Sequence, residues 1–300
     1  MGDGSVVGEA VRVLDAAGLR ASVLVQDLGT GRELAIEPDV PYPLASVVKL
    51  PLLVAVLERA AAGTIDLSAV VTLGRSERTP GPTGLSQFAH PASVAVEDLL
   101  YLATCLSDDT AADALFALCP PGEVNTTLRA LGITDVTLRH PIHELHRTLA
   151  SRLGPDELHL ALSLAIRSTT EGRGHLVPQL DVTQANAGTA RGLVRLLREV
   201  WTGQRLDRAT VERTRALLAR NVLRNRLAPD LESDASTWSS KTGTFLHLRH
   251  EVGVLEHHDG STFAIAVLSE STVPARIQPA AEQALGFAAR ALHDELRSRR

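Results

Sequence analysis

Lysine is almost absent from this chain: of 30 Lys and Arg side chains in 300 residues, only Lys49 and Lys241 are lysine. That bias fits a GC-rich coding sequence in which arginine takes over wherever a positive charge alone is enough. Arginine stays protonated in proteins, whereas a buried lysine can be tuned into a base, so two lysines kept against this pressure point to chemistry. Cysteine is as scarce, with Cys105 and Cys119 alone. Both lie in or near one helical segment, and reduced thiols are expected there, with neither a disulfide nor a metal site. Cys105 reads as a small core residue rather than a nucleophile. No run reaches the ~20 apolar residues of a membrane span. The opening MGDGSVVGEAVRVLDAAGLR lacks a basic start and a continuous apolar stretch, so a cytoplasmic chain without membrane contact is expected. Positive charge is not in excess either, the formal net charge being −5, which argues against nucleic acid as a partner.

What is present is an ordinary core-forming composition. With 44% hydrophobic residues, the chain can build one large core or two smaller ones. Residues 22–36 read as a hairpin turning at Gly29-Thr30-Gly31. Residues 46–62, SVVKLPLLVAVLERAAA, are apolar on most faces, as in a helix buried within a domain, with Gly63 as its stop. Residues 75–91 read as loop and 93–118 as continuous helix, with further helices at 155–167, 189–201 and 207–223. From Ser236 the pattern becomes strand, strand, a turn at Asp259-Gly260, strand, and a last helix over about 279–297. Strands at both ends enclosing a helical middle predict an α+β fold: one antiparallel sheet built from both termini and flanked by helices, plus an inserted all-α part. The corresponding division is residues 1–44 and 235–300 as the sheet domain and 45–234 as the helical domain, with the active site between them.

Ser46-Val47-Val48-Lys49 opens the buried helix, and a separation of three puts both side chains on one helical face. Serine can then pass its proton to lysine. The lysine must be neutral when it acts, which burial and a neighbouring positive charge favour, and Lys241 is placed to supply that charge. Taken alone, an S-x-x-K spacing more often marks a helix start with a solvated lysine. Two further elements follow in order, Ser107-Asp108-Asp109 within LSDDTAADAL and Lys241-Thr242-Gly243-Thr244 within SSKTGT.

The trio S-x-x-K, S-D-N and K-T-G resembles the signature of class A β-lactamases and penicillin-binding proteins, with Asp109 standing where those proteins have asparagine. The wording around each motif is similar too, including PLASVVKLPLL, and the likeness runs from the N-terminal hairpin through Leu131-Gly132 to VGVLE and the last helix. Both lysines of the chain fall on the two motif lysine positions. The resemblance implies a β-lactamase-like fold and no cofactor. It implies Ser46 as nucleophile, Lys49 as base and Ser107 as proton relay to the leaving group. The backbone N–H groups of Ser46 and Thr244 form the oxyanion hole in that reading. Asp109, Lys241, Thr242, Gly243 and Thr244 bind substrate, the lysine and threonines holding a carboxylate, with Gly243 keeping the strand clear for the substrate's approach.

The sequence also departs from that pattern. An ionised Asp109 cannot donate to a substrate; it either pairs with Lys49 and holds its proton or rotates outward. Class A enzymes carry a water-activating glutamate between the second and third motifs. An ungapped alignment puts Ile142 there, with Glu144 two residues on and Glu171 a looser candidate, so the usual deacylating base looks absent. Residues 149–182 are longer than the family's loop and serve either as a lid or as a surface insertion. His140, His143 and His146 recur at three-residue spacing and offer a weak metal pattern or a base. His247, Arg249 and His250 sit either against substrate or on an ordinary strand edge.

The expected activity is a serine hydrolase forming an acyl-Ser46 intermediate on an amide, ester or lactam, and a poor β-lactamase. The expected partner is a small or peptide-like substrate carrying a carboxylate. One rival keeps the acyl-enzyme but hands the acyl group to an amine or hydroxyl, as a biosynthetic acyltransferase or cyclase. Another is a non-catalytic ligand-binding or sensor domain.

Overall fold

The computed structural model describes residues 3–153, 160–168 and 170–299. Five antiparallel strands form the main sheet, in the spatial order Glu33–Ile36, Leu19–Asp27, Thr262–Ser271, Leu248–His257, Ser236–Phe245. The N-terminal hairpin therefore lies beside C-terminal strands, in a register running from Leu19↔Ser271 to Asp27↔Phe263. Alternation gives each strand two apolar faces. Val23, Val25, Ile265 and Val267 pack with the terminal helices Asp3–Ala16 and Pro279–Ser298, while Leu24, Ala264, Ala266 and Leu268 pack with the helical part of the chain. Each such Val, Ile or Leu side chain, fully buried, contributes about 1.5–3 kcal/mol. Coverage on both faces explains why these strands are apolar almost throughout.

The helix Lys49–Ala61 is buried at every residue from Lys49 to Leu57, as its all-round apolar sequence requires. Pro51 falls in its first turn, where a missing N–H breaks no helical bond. Ser46 is not on this helix. It lies in a 3-10 turn, Ala45–Val48, that leads into it.

The continuous helix expected over 93–118 is broken. A short strand Ala92–Ala95 and two helices, Val96–Cys105 and Asp109–Leu118, replace it. Ser107 takes φ +59°, which no helix contains. Asp108 then caps the second helix, accepting from the Thr110 and Ala111 N–H groups at 2.9 and 3.2 Å. Among the described residues, four α-helices have no counterpart in the sequence reading: Asp3–Ala16, Pro121–Ala130, His143–Arg152 and the short Ala228–Leu231. Of the helix expected over 155–167, Ala161–Ile166 is helical, and residues 154–159 lie outside the described residues. Among the described residues no helix is long and apolar enough to cross a membrane.

Candidate active site

Ser46 owes its position to a strained, tightly packed turn. Ala45 before it has φ +46°, a left-handed conformation costly for a residue with a Cβ. The turn is held by Leu44 N–H to Asn186 O at 2.8 Å and Val47 N–H to Leu44 O at 3.0 Å. On its other side it packs against Gly243 of the strand Ser236–Phe245. A Cβ on Gly243 would stand 2.9 Å from Val47 Cγ2, 3.0 Å from Leu44 O and 3.1 Å from Val47 N. Glycine is required there by the turn carrying Ser46, a reason separate from the expected one of clearing a path for substrate.

Lys49 has a fully buried side chain, and its Nζ lies 3.2 Å from Ser46 Oγ, 2.7 Å from Ser107 O, 3.3 Å from Ser107 Oγ and 2.6 Å from Asp109 Oδ1. The left-handed backbone at Ser107 lets one residue present both its carbonyl and its hydroxyl to this ammonium. Lys241 arrives from the opposite side, fully buried, with Nζ 3.0 Å from Ser107 Oγ and 2.9 Å from Thr242 O. Ser46, Lys49, Ser107 and Lys241 thus form a hydrogen-bonded line.

The two lysines differ in environment. Burial, and after it the charge of Lys49, push the Lys241 ammonium well below its ordinary range. Lys49 instead has a carboxylate partner. Burial alone would raise the Asp109 carboxyl, but the Lys49 charge and the hydrogen bonds from His146 and Lys49 outweigh it and hold Asp109 below the usual carboxylate range. Asp109 has not rotated outward.

Ser46, Ser107, Asp109, Thr242 and Thr244, with Leu223, line a pocket of about 140 Å³. Thr242 and Thr244 share one face of the strand by period-two alternation. Lys241 lies behind this wall, reaching Ser107 Oγ rather than lining the pocket itself. A larger cleft of about 790 Å³ shares Leu223, Thr242 and Thr244 and continues to Arg226, Arg276 and Glu282. Arg226 braces the strand end from behind, donating to Thr244 Oγ1 at 3.2 Å and pairing with Glu282. Sequence reasoning missed it because one arginine among so many carries no local signal.

The remaining candidates disperse. Ile142 is 1% exposed and belongs to the hydrophobic core. Glu144 faces Arg147 and His143, and Glu171 pairs with Arg20. His140 is buried with Nδ1 2.9 Å from Pro141 O, His143 is half-exposed at a helix start, and only His146 reaches the site, with Nε2 3.4 Å from Asp109 Oδ2. Among the described residues no group of three His, Cys, Asp or Glu side chains is arranged to hold a metal ion. Arg249 and His250 are buried on the inner strand Leu248–His257 rather than at an edge, and His247 is buried in the turn that precedes it. Arg249 donates to the Leu246, Leu248, Ala275 and Arg276 carbonyls, and also lines the larger cleft. Cys105 donates to Leu217 O, and burial pushes its thiol up to about 11, as befits a core residue. Within 149–182, Ala165, Val177 and Leu180 pack on Ala45 and Leu248, so the described part of this segment buttresses the nucleophile turn.

This fold, with its three motifs meeting at one serine, places the protein in a known class: the chain belongs to the Beta-lactamase enzyme family, whose model matches residues 8–296. Over 305 residues it is 52% identical to the Beta-lactamase regulatory protein BlaB of Streptomyces cacaoi, covering 98% of each chain. In fold it is similar to a β-lactamase from Sphaerobacter thermophilus, at TM-score 0.76 and 23% identity over 96% of this chain and 95% of that one. It is similar again to a variant of the class A β-lactamase of the last common ancestor of Gram-negative bacteria, at TM-score 0.79 and 22% identity over 99% and 100%. The structure of PBP-A matches at TM-score 0.77 and 17% identity, over 98% of this chain and 96% of that one.

Proposed function

We propose that this chain is an acyl-serine enzyme acting on an amide, ester or lactam whose carboxylate is received by Thr242 and Thr244. The observation carrying the reading is the line of hydrogen bonds from Ser46 Oγ through Lys49 and Ser107 to the buried Lys241. Ser46 Oγ attacks the carbonyl carbon. As it does, Lys49 takes the serine proton and yields one of its own to Ser107, whose hydroxyl proton passes to Lys241. The backbone N–H groups of Ser46 and Thr244 receive the oxyanion, a contribution of several kcal/mol when preorganised. Reversing the relay returns the proton through Ser107 to the leaving group. Asp109 keeps Lys49 charged between these transfers, so the proton enters and leaves on the Lys241 side.

Release of the acyl group is the slow step in this scheme. At the position where class A enzymes carry their water-activating glutamate, Ile142 offers no carboxylate, and both Asp109 oxygens are already engaged, by Lys49 and His146, so neither of these two positions supplies the family's base. Penicillin should therefore acylate Ser46 and leave slowly, which makes the protein a poor β-lactamase.

A second reading, a ligand-binding regulator that does not turn over, draws support from the name of the Streptomyces cacaoi relative. Intact-protein mass spectrometry after incubation with a fluorescent penicillin and activated esters separates the two. An adduct on the wild type and none on Ser46→Ala supports acyl-serine chemistry. Saturable binding that is unchanged in Ser46→Ala, with no adduct, supports the regulator and ends the enzymatic reading.

A further inference from the structure

The helix His143–Arg152 is pinned to the active site by a device with two carboxylates. Asp109 and Asp113 are one turn apart on the helix Asp109–Leu118 and so share a face. Asp113 accepts from the Ile142 and His143 N–H groups at 2.6 and 2.8 Å, fixing where the second helix begins. Asp109 accepts from the His146 ring one turn further along. Ile142 and His146 are themselves four residues apart, yet their surroundings differ. Ile142 is in the core, whereas the His146 side chain is 29% exposed and lies edge-on to Phe245, the residue after Thr244, with ring centroids 6.3 Å apart. The helix therefore presents His146, not Ile142, between Asp109 and the end of the substrate-binding strand.

We infer that His146, oriented by Asp109, is the base that activates the acyl acceptor. This rests on the acyl-Ser46 reading above. An ionised Asp109 can only accept, so Nε2–H is the donor, and in the neutral form of the ring Nδ1 carries the lone pair. No hydrogen bond to Nδ1 is present among the described residues. A water, or an acceptor with a hydroxyl or amine, loses its proton to Nδ1 as its oxygen or nitrogen bonds to the acyl carbon. The bond from that carbon to Ser46 Oγ then breaks, and Lys49 returns a proton to Oγ. The imidazolium then releases its Nδ1 proton to solvent and Lys49 takes up one in exchange for the one it gave to Oγ, so both groups return to their starting forms. No atom is oxidised or reduced. The geometry is that of a histidine base held by a third group, with the carboxylate shared between base and lysine.

The test follows the lifetime of the Ser46 adduct, by intact mass, after a pulse of p-nitrophenyl acetate on the full-length protein. His146→Ala should still form the adduct but lose it about 100-fold or more slowly, the scale of general-base catalysis, and imidazole in the buffer should restore the loss. His146→Gln keeps a hydrogen bond to Asp109 without a base. It should also hold the adduct, which separates a chemical role from a structural one and serves if the alanine variant fails to fold. Adduct decay at the wild-type rate in the glutamine variant overturns the inference while leaving acyl-Ser46 chemistry standing. Absence of any adduct on the wild type overturns both.

Discussion

Gly243→Ala probes the contact that locates the nucleophile. The added Cβ meets Val47 Cγ2 at 2.9 Å, Leu44 O at 3.0 Å and Val47 N at 3.1 Å, where comfortable carbon contacts lie at about 3.5–4.0 Å. Two of those three atoms are backbone, and Val47 is itself wholly buried, so no flexible side chain can swing away. Relief requires the 3-10 turn Ala45–Val48 and the strand to separate by about half an ångström. Overpacking of this kind costs about 1–3 kcal/mol, which lowers the melting midpoint of a chain of this size by roughly 2–5 °C. The same displacement moves Ser46 relative to Lys49 and Thr244. A misplacement of ~1 Å costs about 100-fold in a positioned reaction, so labelling of Ser46 by an activated ester should slow about tenfold or more. Circular dichroism melting and timed intact-mass labelling read the two effects. Wild-type melting together with wild-type labelling would refute the reasoning, because it would mean the turn does not depend on the strand for its place.

Other perturbations separate the remaining parts. Asp109→Asn removes the carboxylate that holds the Lys49 proton, and Ser46 labelling by penicillin should rise about tenfold, the effect of ~1.4 kcal/mol on the barrier; slower labelling would count against the ion pair as a brake. Lys241→Arg keeps a charge but cannot receive a proton, so labelling should fall about 100-fold, read in the same assay. Asn186→Ala deletes a buried amide whose Oδ1 accepts from the Arg139 and His140 N–H groups and whose Nδ2 donates to His140 O. A loss of about 3 kcal/mol in urea unfolding is expected. His250 provides a pH signature. Its Nδ1 accepts from Ser269 N–H at 3.0 Å, so Nε2 carries the proton given to Pro43 O at 2.8 Å, and burial pushes its pKa down to about 3. The unfolded chain takes up this proton below about pH 6.5, while the folded chain does so only near 3. The contribution is therefore complete above pH 6.5 and lost as pH falls from there toward 3, at up to ~1.4 kcal/mol per pH unit. A His250→Gln variant should show a shallower acid slope in denaturant titrations, and an unchanged slope would contradict the assignment.

Much of this protein was legible in its sequence because much of it is local. Period-two and all-round apolar patterns marked the strands and the helix Lys49–Ala61, since burial selects side chains residue by residue along an element. The three motifs, and the only two lysines falling on two of them, were visible without coordinates, and the family follows from them. Other features needed the folded chain because they depend on what lies opposite. Ser107 reads as helix until its left-handed backbone turns its carbonyl and hydroxyl toward Lys49. Glycine at 243 shows its second reason only when Leu44 and Val47 are seen against it. Three histidines at one spacing are equivalent on paper, yet the start of the second helix, set by Asp113, sends His140 inward, leaves His143 half-exposed and brings His146 to Asp109. The depression of the Lys241 ammonium has the same origin: a charge interacts with whatever the fold places within a few ångströms, and residues 49, 109, 146 and 241 become neighbours only through tertiary structure.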